Sequence, residues 1–170
     1  MEQENQGGNL SKNKLYMIIG GVVVVLIVGG SLMRGLGRSL TGGNVDNNIN
    51  GSTTYSNSDG SVTVGGNKLP DNWPSDTPKY KNAQILSVVN SNPQTGEAGL
   101  AVSFSTSDSA QTVVDFYKKE LASNGWTVEQ TVATEAGTIM AATKDNRNFG
   151  IYIINSEDGK VSVTVSISMP

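Results

Sequence analysis

From Leu15 to Met33 the chain carries no charged residue: LYMIIGGVVVVLIVGGSLM, a run of 19. Wound as a helix at about 1.5 Å per residue it is roughly 28 Å long, close to the ~30 Å hydrocarbon core of a bilayer. Tyr16 falls near one end, where an amphipathic ring suits the headgroup level. Val22 to Val25 is a β-branched run, a poor helix former in water. In lipid the backbone must satisfy its own hydrogen bonds, which restores the helix. The expectation is a single-pass transmembrane helix over 15–33 in contact with membrane lipid. A cleaved signal ending at Gly29-Gly30-Ser31 is the competing reading. Gly20, Gly21, Gly29 and Gly30 are not spaced four apart, and Ser31 and Gly35 are so only at the edge of the span, so a plain anchor is expected rather than a packing helix. Lys12 and Lys14 before the run balance Arg34 and Arg38 after it. The α-amino group tips the count toward a cytoplasmic N-terminal segment, 1–14. The expected location is therefore the cell membrane, with the C-terminal domain extracytoplasmic.

The 170 residues include no Cys and no His. Disulfides, thiolate nucleophiles, Cys/His zinc sites, imidazole-held haem or copper, and Ser-His-Asp machinery are all excluded. A net charge of −3 argues against nucleic acid as a partner, since its binders carry a basic patch.

Residues 34–66 differ in character: 22 of these 33 are Gly, Asn, Ser or Thr. With so few apolar side chains the expectation is a flexible tether. One short hairpin is plausible inside it, at Ser58-Asp59-Gly60 between Thr53-Thr54-Tyr55 and Ser61-Val62-Thr63-Val64. The folded domain is expected over 67–170. It opens with Pro70, Pro74 and Pro78, which forbid a helix or a central strand, so this segment should lie extended over the domain with Trp73 and Tyr80 as anchors.

Strands are expected at Ala83–Val89 and Leu100–Phe104. Then the period changes. Ala110, Val113, Val114, Tyr117 and Leu121 form one helical stripe. Ser107 or Asp108 is the expected N-cap and Gly125 the left-handed stop. Asp108 and Asp115 fall early and Lys118 and Lys119 late, as the helix dipole favours. Four more strands follow at Trp126–Val132, Thr138–Thr143, Phe149–Ile153 and Val161–Ile167. The last alternates Val/Ile with Ser/Thr and is the strongest strand signal in the chain. The expected fold is α+β: transmembrane helix, tether, then a two-layer domain of antiparallel sheet in the order β-β-α-β-β-β-β, with the helix on one face and small polar residues on the other.

The segment from Leu69 to Tyr80, the run from Thr106 to Leu121 and the Asn124-Gly125-Trp126 stop together resemble a module of uncharacterised bacterial proteins. Those proteins carry one span or a lipoprotein signal, then a small α+β domain with an FYKxxLxxxGW helix end. The resemblance covers about residues 60–170. It implies a bacterial envelope protein and brings no activity, ligand or site residue.

Few residues invite chemistry. Phe116-Tyr117 and Gly125-Trp126 could stack a ligand, but aromatics at this spacing beside a helix end are more often core. Asp71 and Asp76 lack the spacing of a calcium loop, and Asp145-Asn146-Arg147-Asn148 reads as a hairpin turn. Glu97, Glu129 and Glu135 carry no pairing signal for acid–base hydrolysis. No catalytic, cofactor-binding or metal residue is assigned. The leading expectation is a membrane-anchored, non-enzymatic domain that docks on envelope components or a protein partner. The alternative is a small-ligand binding or sensing domain with a concave pocket, and a carboxylate-based hydrolase ranks below both.

Overall fold

The Val/Ile against Ser/Thr alternation of 161–168 becomes the spine of the molecule. In a computed structural model, residues 44–49, 51–57, 60–90, 99–156 and 158–168 are described. They form nine strands and one helix: β1 Asn44–Asn47, β2 Thr53–Asn57, β3 Gly60–Val64, β4 Gln84–Asn90, β5 Gly99–Thr106, α1 Ala110–Ser123, β6 Thr127–Thr134, β7 Gly137–Lys144, β8 Arg147–Asn155 and β9 Val161–Ser168. All strands join one sheet in the order β1-β2-β3-β4-β5-β9-β8-β7-β6. Every pairing is antiparallel. The chain runs inward to β5, crosses by α1 to the far edge at β6, and works back until β9 fills the gap beside β5.

Register decides the core. Val102 faces Val165, which faces Ile151, which faces Met140, so one row of apolar side chains crosses four strands. Leu100, Ile167, Phe149 and Ala142 form the next row. On these rows α1 lays Val113, Val114, Tyr117 and Leu121, all buried. The helix stops as its sequence dictates. Gly125 takes φ +79°, its amide donates to Ala122 O, and the Trp126 amide donates to Leu121 O. That pattern closes the last turn while packing Trp126 near Leu121.

The fold differs from expectation in three ways. First, the tether expected over 34–66 contains β1, β2 and β3 from residue 44 onward. β3 pairs with the otherwise open edge of β4, through Val62 with Val89 and Val64 with Ser87, and backbone pairing needs no apolar side chain. The expected hairpin is β2–β3, with Asn57 opposite Gly60. The sheet thus has nine strands, not six. Second, the transmembrane helix is withdrawn, and with it the single-pass anchor, the cell-membrane location and the extracytoplasmic orientation. Among the described residues no helix is long and apolar enough to cross a membrane. At 14 residues α1 rises about 21 Å, short of the ~30 Å required. Residues 15–33, with Gly20, Gly30 and Ser31, and Gly35 beyond them, lie outside the described residues. Third, the N-cap is Ser109, whose Oγ accepts from the Thr112 amide at 3.2 Å. The first turn holds no acidic residue and the last turn no basic one, so the expected dipole pairing is absent from α1.

Candidate functional site

The proline-rich segment 68–82 is a strap bound at both ends of α1. Its turns close with the Trp73 amide on Pro70 O and the Thr77 amide on Pro74 O. At the helix start, Tyr80 Oη donates to Asp108 Oδ2 at 2.7 Å and Asn82 Nδ2 donates to the same oxygen at 3.0 Å. At the helix end, Asp76 accepts from Lys144 Nζ at 2.7 Å and from Arg147 Nη1 at 3.0 Å, while its backbone carbonyl accepts from Trp126 Nε1 at 2.8 Å. The Arg147 guanidinium lies 4.9 Å above the Trp126 ring. The Arg147 guanidinium and then Lys144 hold the Asp76 carboxyl far below the usual carboxylate range, against the opposing effect of burial.

The strap also fills the apolar interior. Tyr80 stacks between Phe104 and Tyr117 and meets Phe116 edge-on. The space left beneath Trp73 and Tyr80 is about 20 Å³, room for one water. Phe116, Tyr117 and Trp126 therefore pack in or against the core and do not form a stacking platform for a ligand.

The open site lies elsewhere on the same face. Helix α1 packs over β6, β7 and β8, and the strap covers the sheet up to β4. Beyond the strap, the helix-side faces of β2, β3 and β4 form the floor of an open groove of about 680 Å³, walled on one side by residues 68–72. Register explains its chemistry. The apolar row through Val102 and Val88 continues outward as Thr63 and Thr54, so the core row turns to hydroxyls where, among the described residues, no helix lies over it. These two hydroxyls are 2.9 Å apart. Asn48 Nδ2 donates to Ser52 Oγ and Thr54 Oγ1. Asn90 Nδ2 donates to Ser61 Oγ and its Oδ1 accepts from Asn72 Nδ2, each at 3.4 Å. At the rim Lys68 Nζ donates to Asp71 Oδ1 at 2.6 Å, which lowers the Asp71 proton affinity. The polar part of the lining is thus hydroxyls and carboxamides with one internally neutralised ion pair, beside apolar surface from Leu69, Pro70 and Val88.

The remaining sequence candidates scatter. Asp76 serves the ion-paired clip, Asp145 turns a hairpin at φ +52°, Glu129 accepts from Thr143 Oγ1 at 2.8 Å, Glu135 is exposed, and Glu97 lies outside the described residues. Among the described residues no group of three or more His, Cys, Asp or Glu is placed to hold a metal ion. The groove residues Thr54, Thr63, Ser61 and Asn90 were not marked by the sequence, because their shared face exists only once β2, β3 and β4 pair.

Residues 85–168 match a family model described as START domain-like, from the second residue of β4 to the end of β9. An uncharacterized protein of Archaeoglobus fulgidus is 27% identical over 81 residues, 48% of this chain. That alignment spans about 28% of the relative's length. No solved structure matches the chain. Strands β1–β3 and the strap fall outside the matched family segment, so the groove is built at its border: Val88 and Asn90 lie within the match, Thr54, Thr63 and Asn72 outside it.

Proposed function

We propose that this chain is a small-ligand binding or sensing domain whose site is the groove over β2–β4, and that its ligand is a small, uncharged, hydrogen-bonding molecule such as a polyol or sugar. The observation that carries the reading is the groove itself: about 680 Å³, within the range of small-molecule sites, with hydroxyls and carboxamides that both donate and accept beside a smaller apolar part from Leu69, Pro70 and Val88. The match to a START domain-like family supports ligand binding over docking on an envelope partner. An apolar ligand finds little support, since the space beneath the strap is about 20 Å³. Binding is proposed in preference to catalysis. Asp71, Asp76 and Asp108 all shift toward lower proton affinity, opposite to what a carboxyl general acid requires. Neutral hydrogen bonds made in competition with water contribute about 0.5–1.5 kcal/mol each, so the affinity should be modest.

The test is an amide-shift titration of the full chain with neutral sugars and polyols, with charged analogues and a fatty acid alongside. The reading expects saturable shifts at β2, β3, β4 and 68–72 with the neutral set, weakened several-fold by Thr63→Val. Shifts confined to Trp73, Tyr80 and Tyr117 on adding the fatty acid would replace it with an apolar site beneath the strap. No saturable shift with any neutral compound would end it.

A further inference from the structure

We propose that the sheet face opposite α1 is a self-association surface, against which a second copy of this chain packs face to face.

The face follows from register. Opposite the core rows run Val45, Tyr55, Val62, Val89, Ala101, Ser166, Gly150 and Ala141, each the cross-strand partner of the next. Among the described residues no helix or strap lies on this side. A one-sided antiparallel sheet ordinarily turns charged and polar residues to water. Here, among the described residues, the outward positions of all nine strands carry one charged side chain, Glu129 at the β6 bulge, and that carboxylate is occupied by Thr143. Apolar side chains stand in water instead: Val45 is 54% exposed, Leu86 41% and Val132 37%.

Three features point to a second copy as the occupant. The pattern across the sheet is nearly symmetric about its central strand, β5. Val45, Tyr55 and Val62 form one apolar flank and Val132, Ile139 and Ile154 the other. Between them lie the hydroxyls of Ser103, Ser162, Thr164 and Ser166 on β5 and β9, with Ser103 and Thr164 already 3.1 Å apart. A copy rotated about a two-fold axis therefore meets apolar flank with apolar flank, and hydroxyls with hydroxyls that can donate as well as accept. The absence of charge matters next. A chain of net charge −3 opposes itself at the least electrostatic cost across a face that adds no like-charge contact. Area is the third. Eight strand spacings of about 4.8 Å by about six residues of about 3.3 Å give roughly 750 Å² per copy, near the ~800 Å² a stable pair buries on each side. The small central residues allow sheets to approach at about 10 Å.

The experiment uses the full chain. Sedimentation equilibrium should show a reversible dimer, weakened at least tenfold by Val132→Lys or Val62→Lys, each of which buries an unpaired charge in both apolar flanks of the contact. Lys118→Glu on the exposed side of α1 should leave it unchanged. Val132→Lys sits at the exposed edge strand, so it reads the contact even if Val62→Lys disturbs folding. In parallel, a soluble paramagnetic probe should reach the methyls of Val62, Ile139 and Ile154 less as concentration rises, and equally at all concentrations in Val132→Lys. A wild-type chain that stays monomeric overturns the proposal. So does an association that leaves those methyls accessible, because the contact then lies off this face.

Discussion

Tyr80 and Asp108, 28 residues apart in sequence, are joined by a 2.7 Å hydrogen bond in which the phenol donates to the carboxylate. The bond fixes the strap to the start of α1 and takes Asp108 out of the N-cap, leaving that role to Ser109. The ring does more than the hydroxyl, since it packs against Phe104, Phe116 and Tyr117. Tyr80→Ala is therefore expected to cost about 3 kcal/mol, as aromatic truncations in packed sites do, and Tyr80→Phe well under half of that. Denaturant midpoints of the two variants check the ratio.

Burial, with the Asp108 contact adding to it, pushes the Tyr80 phenol well above its ordinary range, and burial does the same to Tyr117. Both folded values lie above the unfolded one. The stability they contribute is thus complete below about pH 10 and is lost as pH rises beyond it. A phenolate absorbance titration should show Tyr80 and Tyr117 ionising only together with unfolding. Smooth ionisation of both phenols in the folded chain would contradict it.

Asp76 has the opposite sign. Its folded value is depressed by Arg147 and Lys144, so its contribution is complete above the unfolded value and is lost as pH falls below about 4. Asp76→Asn is expected to lower stability at neutral pH by about 1–3 kcal/mol, the range for a charged hydrogen-bonded group. It should also flatten the acid limb of the stability curve. Thermal melts from neutral pH to below pH 3 separate the two effects.

The parts legible in sequence were those whose signal is local. Val161, Val163, Val165 and Ile167 alternate because the same four residues face the core, and the stripe from Ala110 to Leu121 has helical period because one side of it is buried. β2–β3 carried only a turn signal with short flanks, and β1 carried none, so their place in the sheet was not legible. Thr54, Thr63 and Ser61 face a groove rather than a core, so burial never selected apolar residues there, and their strands form because β4 has a free edge. Asp76 showed nothing beyond its lack of calcium-loop spacing for a related reason: its cations, Lys144 and Arg147, lie 68 and 71 residues along the chain. The charge-free run 15–33 matched a bilayer by length, apolarity and the place of Tyr16, and none of these gave an account of the sheet that begins at Asn44.

Gly137 opens β7 at φ +143°, where a Cβ would collide with the Ile153 carbonyl oxygen and lie 2.8 Å from Ile154 Cγ2. The first obstacle is backbone of the paired strand, which cannot turn aside as a side chain can. Gly137→Ala is expected to destabilise by about 1–3 kcal/mol, the scale of an enforced backbone strain. Gly159→Ala serves as the comparison. It has φ +78° and open space around its Cβ, so it isolates the cost of conformation from the cost of collision. Equal losses in the two variants would show that the Ile153 contact adds nothing.

Stability should be uneven across the sheet. The described residues of β1, β2 and β3 contribute no member of the buried hydrophobic core, which begins at Trp73. They are held by ladder hydrogen bonds and by polar contacts such as Thr54 with Thr63, which water can replace at little cost. By contrast β5, β9 and β8 place Val102, Val165 and Ile151 in the core beneath the strap and α1, all at 1% exposure or less. Native-state hydrogen exchange is expected to open β1–β3 as a unit at a free energy below that of global unfolding, while amides of β5, β9 and β8 exchange only through the global event. Since β2 and β3 form the groove floor, a ligand held there should slow exchange in β1–β3 selectively, by the factor its occupancy sets. Uniform protection from β1 through β9 in the free chain would mean that the extension is as firmly integrated as the core strands.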